Sequence, residues 1–156
     1  LFQEVREKRG LAYSVGSYTV GYQDAGQVGV YLGTREDNLA TACEVIATEL
    51  RRIGSEPLPD VELRRAKDHL KGRMILGMES SGTRMNRIGR SVLTGTEMLT
   101  IDEIEARIEA VTTEDVMALA AEHWQPEHMS AAAIGPKGDI IRTAIGTLSA
   151  GLVSAG

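Results

Sequence analysis

Residues 1–22, LFQEVREKRGLAYSVGSYTVGY, contain the change of period that decides the fold. Over LFQEVREKR, Leu1, Val5 and the stem of Arg9 fall at helical spacing, and Gly10 follows where a helix end favours a left-handed residue. A short helix is expected to stop there. From Leu11 to Tyr22 the pattern alternates instead. Leu11, Tyr13, Val15, Ser17 and Thr19 would share one face and Ala12, Ser14, Gly16, Tyr18 and Val20 the other, as in a strand of period two.

Working outward, Gln23-Asp24-Ala25-Gly26 is a turn cluster and Gln27–Thr34 alternates again, so the pair is expected as an antiparallel hairpin. Leu39, Ala42, Ile46, Leu50 and Ile53 then form one apolar stripe of a helix between Arg35 and Gly54. Pro57 and Pro59 break it, and a second helix starts near Pro59-Asp60 and runs to about Glu79, with Leu63, Ala66, Leu70, Met74 and Gly77 on its stripe. Met85, Ile88 and Val92 mark a third that ends near Gly95. Thr100 with Glu103 has capping-box spacing ahead of a fourth, and Thr112 with Asp115 restarts the pattern at Val116. Met129–Ile134 (MSAAAI), stopped by Gly135-Pro136, is expected as a buried third strand. Residues 137–156, rich in Gly, Ala, Ser and Thr, are expected as a flexible tail behind a domain of residues 1–136. The order segregates helices from a mostly antiparallel sheet, which is an α+β architecture. Three strands are few for helices of this length, so sheet partners are expected to be missing.

The 156 residues are 42% apolar and 25% charged, with 17 Lys+Arg against 22 Asp+Glu and a net charge of -5, as expected for one soluble globular domain. The acidic balance argues against nucleic acid as partner, since phosphate binding relies on clustered cations. No apolar run approaches the roughly 20 residues of a membrane span. The start has neither a charged n-region nor an apolar h-region, so an interior, cytoplasmic protein is the default expectation. The chain opens inside helical pattern without Met, as a piece of something longer would.

Histidines are the cheapest route to a metal site. His123 and His128 bracket HWQPEH, which echoes the H-x-x-E-H zinc ligands, but residues five apart do not share a helix face and Pro126 lies between them. His69 stands alone beside Lys67 and Lys71, and Cys43, the one cysteine, reads as a small buried residue. No zinc site is expected within the chain. The remaining constellation is Arg6 and Tyr13 in REKRGLAY, where a guanidinium and a phenol flank a helix-to-strand corner. Such donors suit carbonyl oxygens and the oxyanion of amide attack. On spacing alone, a solvated Arg beside an interfacial Tyr is the plainer reading.

Three separated blocks, LFQEVREKRGLAYSV, ELRRAKDHLKGRMILGMESSGTRMNRIGR and VTTEDVMALAAEHW before AAAIGP, resemble in order the second half of the inverted-motif zinc metallopeptidases, the pitrilysin and mitochondrial processing peptidase family. The resemblance runs to about Lys137 and is closest to the single-chain bacterial processing-protease branch. It implies a peptidase of two similar α+β halves that close around a peptide. The first half carries H-x-x-E-H and a downstream Glu that bind zinc and activate water, and this chain has none of those residues. The second half contributes an Arg and a Tyr seven apart, which Arg6 and Tyr13 match. The resemblance gives them the role of donors to substrate carbonyls and to the tetrahedral intermediate, and so reverses the plainer reading.

That resemblance further implies strands and a helix upstream of Leu1, so the domain is expected to be incomplete at its N-terminus and inactive alone. The expected partners are an N-terminal zinc-bearing half, a peptide substrate, and a second copy of the chain pairing on the open sheet edge. A non-catalytic clamshell or assembly paralogue is the alternative within the family, and a binding module of shared topology the alternative outside it.

Overall fold

A computed structural model describes residues 1–153 except Gln23. The expected turn at Gln23 and the last residues of the expected tail, 154–156, lie outside the described residues. The chain divides into one unit of Leu1–Glu56 with Met117–Gly156 and another of Pro57–Val116.

The first unit begins with a single π-helical turn, Phe2–Glu7, in which the Lys8 amide donates to the Gln3 carbonyl at 2.8 Å. Gly10 follows at φ 59, the left-handed conformation that glycine adopts without Cβ cost. β1 (Ala12–Gly21) and β2 (Gly26–Thr34) then form a two-stranded antiparallel sheet, with the Tyr22 amide bonded to the Ala25 carbonyl at 2.8 Å across the turn. α1 (Leu39–Ser55) follows a 3-10 turn at Glu36–Asn38. Its buried residues Ala42, Cys43, Ile46, Ala47 and Leu50 recur at three- and four-residue steps, the stripe that its sequence carries. Val5, Ala12, Val15, Ala42, Ile46 and Leu50 make the core, covered by Val30, Leu32, Trp124, Leu148 and Leu152 among others.

Strict alternation fails in β1. Ala12 is opposite Thr34 but Ser14 is opposite Gly33, so Tyr13 is the extra residue of a β-bulge. Ala12 and Val15, expected on opposite faces, therefore both reach the core. Beyond the bulge the ladder is regular, and Tyr31 and Tyr18 lie over Gly16 and Gly29 of the facing strand.

Two further expectations are corrected. Met129–Ile134 is not a strand, because among the described residues β1 and β2 pair only with each other, and an apolar run without a ladder partner has nothing to make it one. Residues 131–134 are exposed. Gly138–Val153, expected as flexible tail, is the helix α6. Its small residues let it approach α1 closely, with Ala144 buried and the Arg51 guanidinium donating to the Gly151 carbonyl at 2.7 Å.

The second unit contains α2 (Asp60–Met78), α3 (Ser81–Thr94) and α4 (Ile101–Ala110), and the first turn of α5 (Thr113–His123). α3 starts on the Ser80 hydroxyl, which accepts from the Thr83 amide, and stops at Gly95 with φ 67. The capping box of Thr100 and Glu103 forms as its spacing predicts, and Thr112 and Asp115 make the same reciprocal pair. Lys71 bridges α2 to Glu109 on α4. None of α2, α3 and α4 has a buried residue, and Met85, Ile88, Val92 and Leu93 of α3 are exposed. The architecture is α+β, as the element order predicts.

Candidate functional site

The site is built on the corner between the π-turn and β1. Val5, wholly buried, anchors the turn, and its carbonyl accepts from the Leu11 amide at 2.9 Å. Arg6 is the next residue and points to solvent. Its guanidinium lies over the Phe2 ring, 5.1 Å from the centroid, within the distance at which a cation is attracted to a ring face.

The neighbouring cations are occupied by one carboxylate. Glu4 forms ion pairs with both Lys8 and Arg9, and Arg9 also donates to the Glu4 carbonyl at 2.9 Å. Hydrogen bonds from Lys8 and then Arg9 hold the Glu4 carboxyl down to about 2. Of the cations in REKR, Arg6 alone has no carboxylate partner among the described residues. A guanidinium in that state keeps its donor fork for an external acceptor.

Tyr13 is 87% exposed. Two residues before Val15, it would face the core in a regular strand, and the bulge turns it outward instead. The sequence placed both donors at the corner, but the bulge that presents the phenol has no composition signal in LAYSV. No hydrogen bond joins Arg6 to Tyr13, and neither side chain makes one elsewhere among the described residues.

His69 is exposed on α2, His128 lies in the 3-10 turn Pro126–His128, and His123 lines a shallow depression with Val20 and Val28. Cys43 is buried, and that burial pushes its thiol up. Among the described residues no three His, Cys, Asp or Glu side chains form a cluster that could hold a metal ion. No helix among them is long and apolar enough to cross a membrane.

Residues 1–70 match the family described as the Peptidase M16 inactive domain. An uncharacterised zinc protease of Streptomyces coelicolor is 48% identical over 120 residues, which is 77% of this chain and 26% of that protein. The mitochondrial-processing peptidase subunit beta of Saccharomyces cerevisiae is 32% identical over 127 residues, 80% of this chain and 28% of that one. A chain in the solved structure of complex III2 from Candida albicans, with Inz-5 bound, superposes with a TM-score of 0.68 at 18% identity, over 76% of this chain and 28% of that one. The chain thus spans between a quarter and a third of the length of these proteins.

Proposed function

The chain belongs to the M16 peptidase family, and from that premise we propose that it is the substrate-facing part of a zinc-dependent endopeptidase whose metal ligands lie in a separate, N-terminal half. When bound there, zinc supplies the activated water. This chain's own part is donation. The Arg6 fork binds a peptide carbonyl and holds the substrate backbone. The Tyr13 hydroxyl donates to the oxygen of the scissile carbonyl, whose negative charge grows as water adds and the C=O bond becomes single. Such a donor accelerates the reaction because its hydrogen bond is stronger to the oxyanion than to the starting amide.

One observation carries the reading. Both residues are exposed with their donors uncommitted, while every other cation of the same turn is paired. A chain without zinc ligands is inactive alone on this reading and needs the zinc-bearing half as its partner. A second copy would cover the hairpin edge in its absence, and light scattering of the isolated chain over a range of concentrations tests that. The reading itself is tested by peptide-cleavage kinetics of Arg6→Ala and Tyr13→Phe in the whole protein, alongside zinc content.

The second reading is a non-catalytic subunit that keeps the clamshell for assembly or peptide binding. The description of the matched domain as inactive favours it. It makes the two donors dispensable, so the same kinetics separate the readings.

A further inference from the structure

The bulge that exposes Tyr13 is pinned from outside β1. Leu11, one residue before the strand, has its amide on the Val5 carbonyl at 2.9 Å. Its carbonyl accepts from the Thr34 hydroxyl and, at 3.4 Å, from the Asn38 amide group. The Asn38 contact is long for a hydrogen bond, which leaves Thr34 as the principal donor. The Thr34 hydroxyl has one proton, and its other acceptor, the Arg35 carbonyl, is farther away at 3.3 Å.

Thr34 is also the last residue of β2 and the partner of Ala12. Its side chain therefore ties down the residue before Ala12 while its backbone pairs with Ala12 itself. With Ala12 held opposite Thr34 and Ser14 opposite Gly33, the extra residue has to be taken up at position 13. Release the Leu11 carbonyl, and Ala12 is free to leave the ladder while Tyr13 moves opposite Thr34. A shift of one residue exchanges the two faces of a strand. Tyr13 would then join Val15 on the core face.

We propose that Thr34 is a positioning residue for Tyr13, acting through the Leu11 carbonyl to fix the bulge in place; this rests on the role given to Tyr13 above. Asn38 is the weaker second tie. The hydroxyl matters as a donor, so serine replaces threonine and valine, of nearly the same shape, does not.

The test uses the whole protein with its zinc-bearing half, in four forms: Thr34→Val, Thr34→Ser, Tyr13→Phe, and Thr34→Val combined with Tyr13→Phe. Misplacing a reacting group by about 1 Å costs up to about 100-fold. Thr34→Val is expected to lower kcat by about 10-fold or more with a smaller change in KM, and Thr34→Ser to restore it. In the Tyr13→Phe background Thr34→Val is expected to cost nothing further, as two changes acting through one group are not additive. In the whole protein without substrate, relaxation of the Tyr13 ring protons by a soluble paramagnet is expected to weaken in Thr34→Val. Should the valine variant not fold, Thr34→Ala carries the same comparison. Unchanged turnover in Thr34→Val, an equal loss in Thr34→Ser, or a full loss on top of Tyr13→Phe would each overturn the proposal. Unchanged turnover in Tyr13→Phe would instead overturn the role of Tyr13, and the ring-exposure measurement then decides the positioning separately.

Discussion

Gly151 on α6 faces Ala47 on α1 so closely that a Cβ at residue 151 would lie 2.8 Å from the Ala47 Cβ. Ala47 is buried, and a Cβ is fixed by its own backbone, so nothing at the contact swings aside. The two helices would have to separate.

That contact gives paired predictions of opposite sign. Gly151→Ala is expected to destabilise the chain by about 1–3 kcal/mol through overpacking, less whatever helix propensity returns. Gly146→Ala, on the same helix with open space around its Cβ position, is expected to stabilise by about 0.5–1 kcal/mol. Urea denaturation of both variants checks the signs. Equal effects would mean that α6 does not pack on α1.

The caps that open α4 and α5 are each expected to add to stability. Thr100→Ala and Thr112→Ala each remove the hydroxyl that accepts from the amide three residues on, at a cost of about 1 kcal/mol. Thermal unfolding followed by circular dichroism measures the loss, and the serine variants are expected to recover most of it.

Glu4 predicts an acid-side pH dependence. Its carboxyl is held at about 2 against an ordinary value of 4.5. The folded value lies below the unfolded one, so its contribution is fully present above pH 4.5 and is lost as pH falls toward 2. Glu4→Gln is expected to flatten the stability profile within that window and leave its shape above pH 5 unchanged. Parallel profiles for both proteins across the window would contradict the ion pairs with Lys8 and Arg9.

The sequence makes some of these features legible and hides others for physical reasons. Thr100 and Glu103, Thr112 and Asp115, Gly10 and Gly95 are local devices, each readable because cap and partner lie within a few residues. The α1 stripe is legible because its period repeats over four turns. The helix within residues 137–156 is hidden because its glycines, serines and threonines look like weak helix formers, whereas here small residues permit the approach of α6 to Ala47. MSAAAI has strand composition without a ladder partner. Tyr13 follows the Gly10 turn as its spacing predicts, but its exposure comes from a tie between Leu11 and Thr34, 23 residues apart, which no periodicity reports.

On the proposed reading, Tyr13 and Arg6 give hydrogen bonds to the substrate and do not ligate the metal. Steady-state cleavage of an unstructured peptide by the whole protein and by its Tyr13→Phe variant, with zinc counted in both, tests it most directly. Loss of one oxyanion donor typically lowers kcat by about 10²–10³, and that fall is expected with one zinc per protein in each. A Tyr13→Phe enzyme that cleaves at the parent's rate, or that has lost its zinc, would contradict the account.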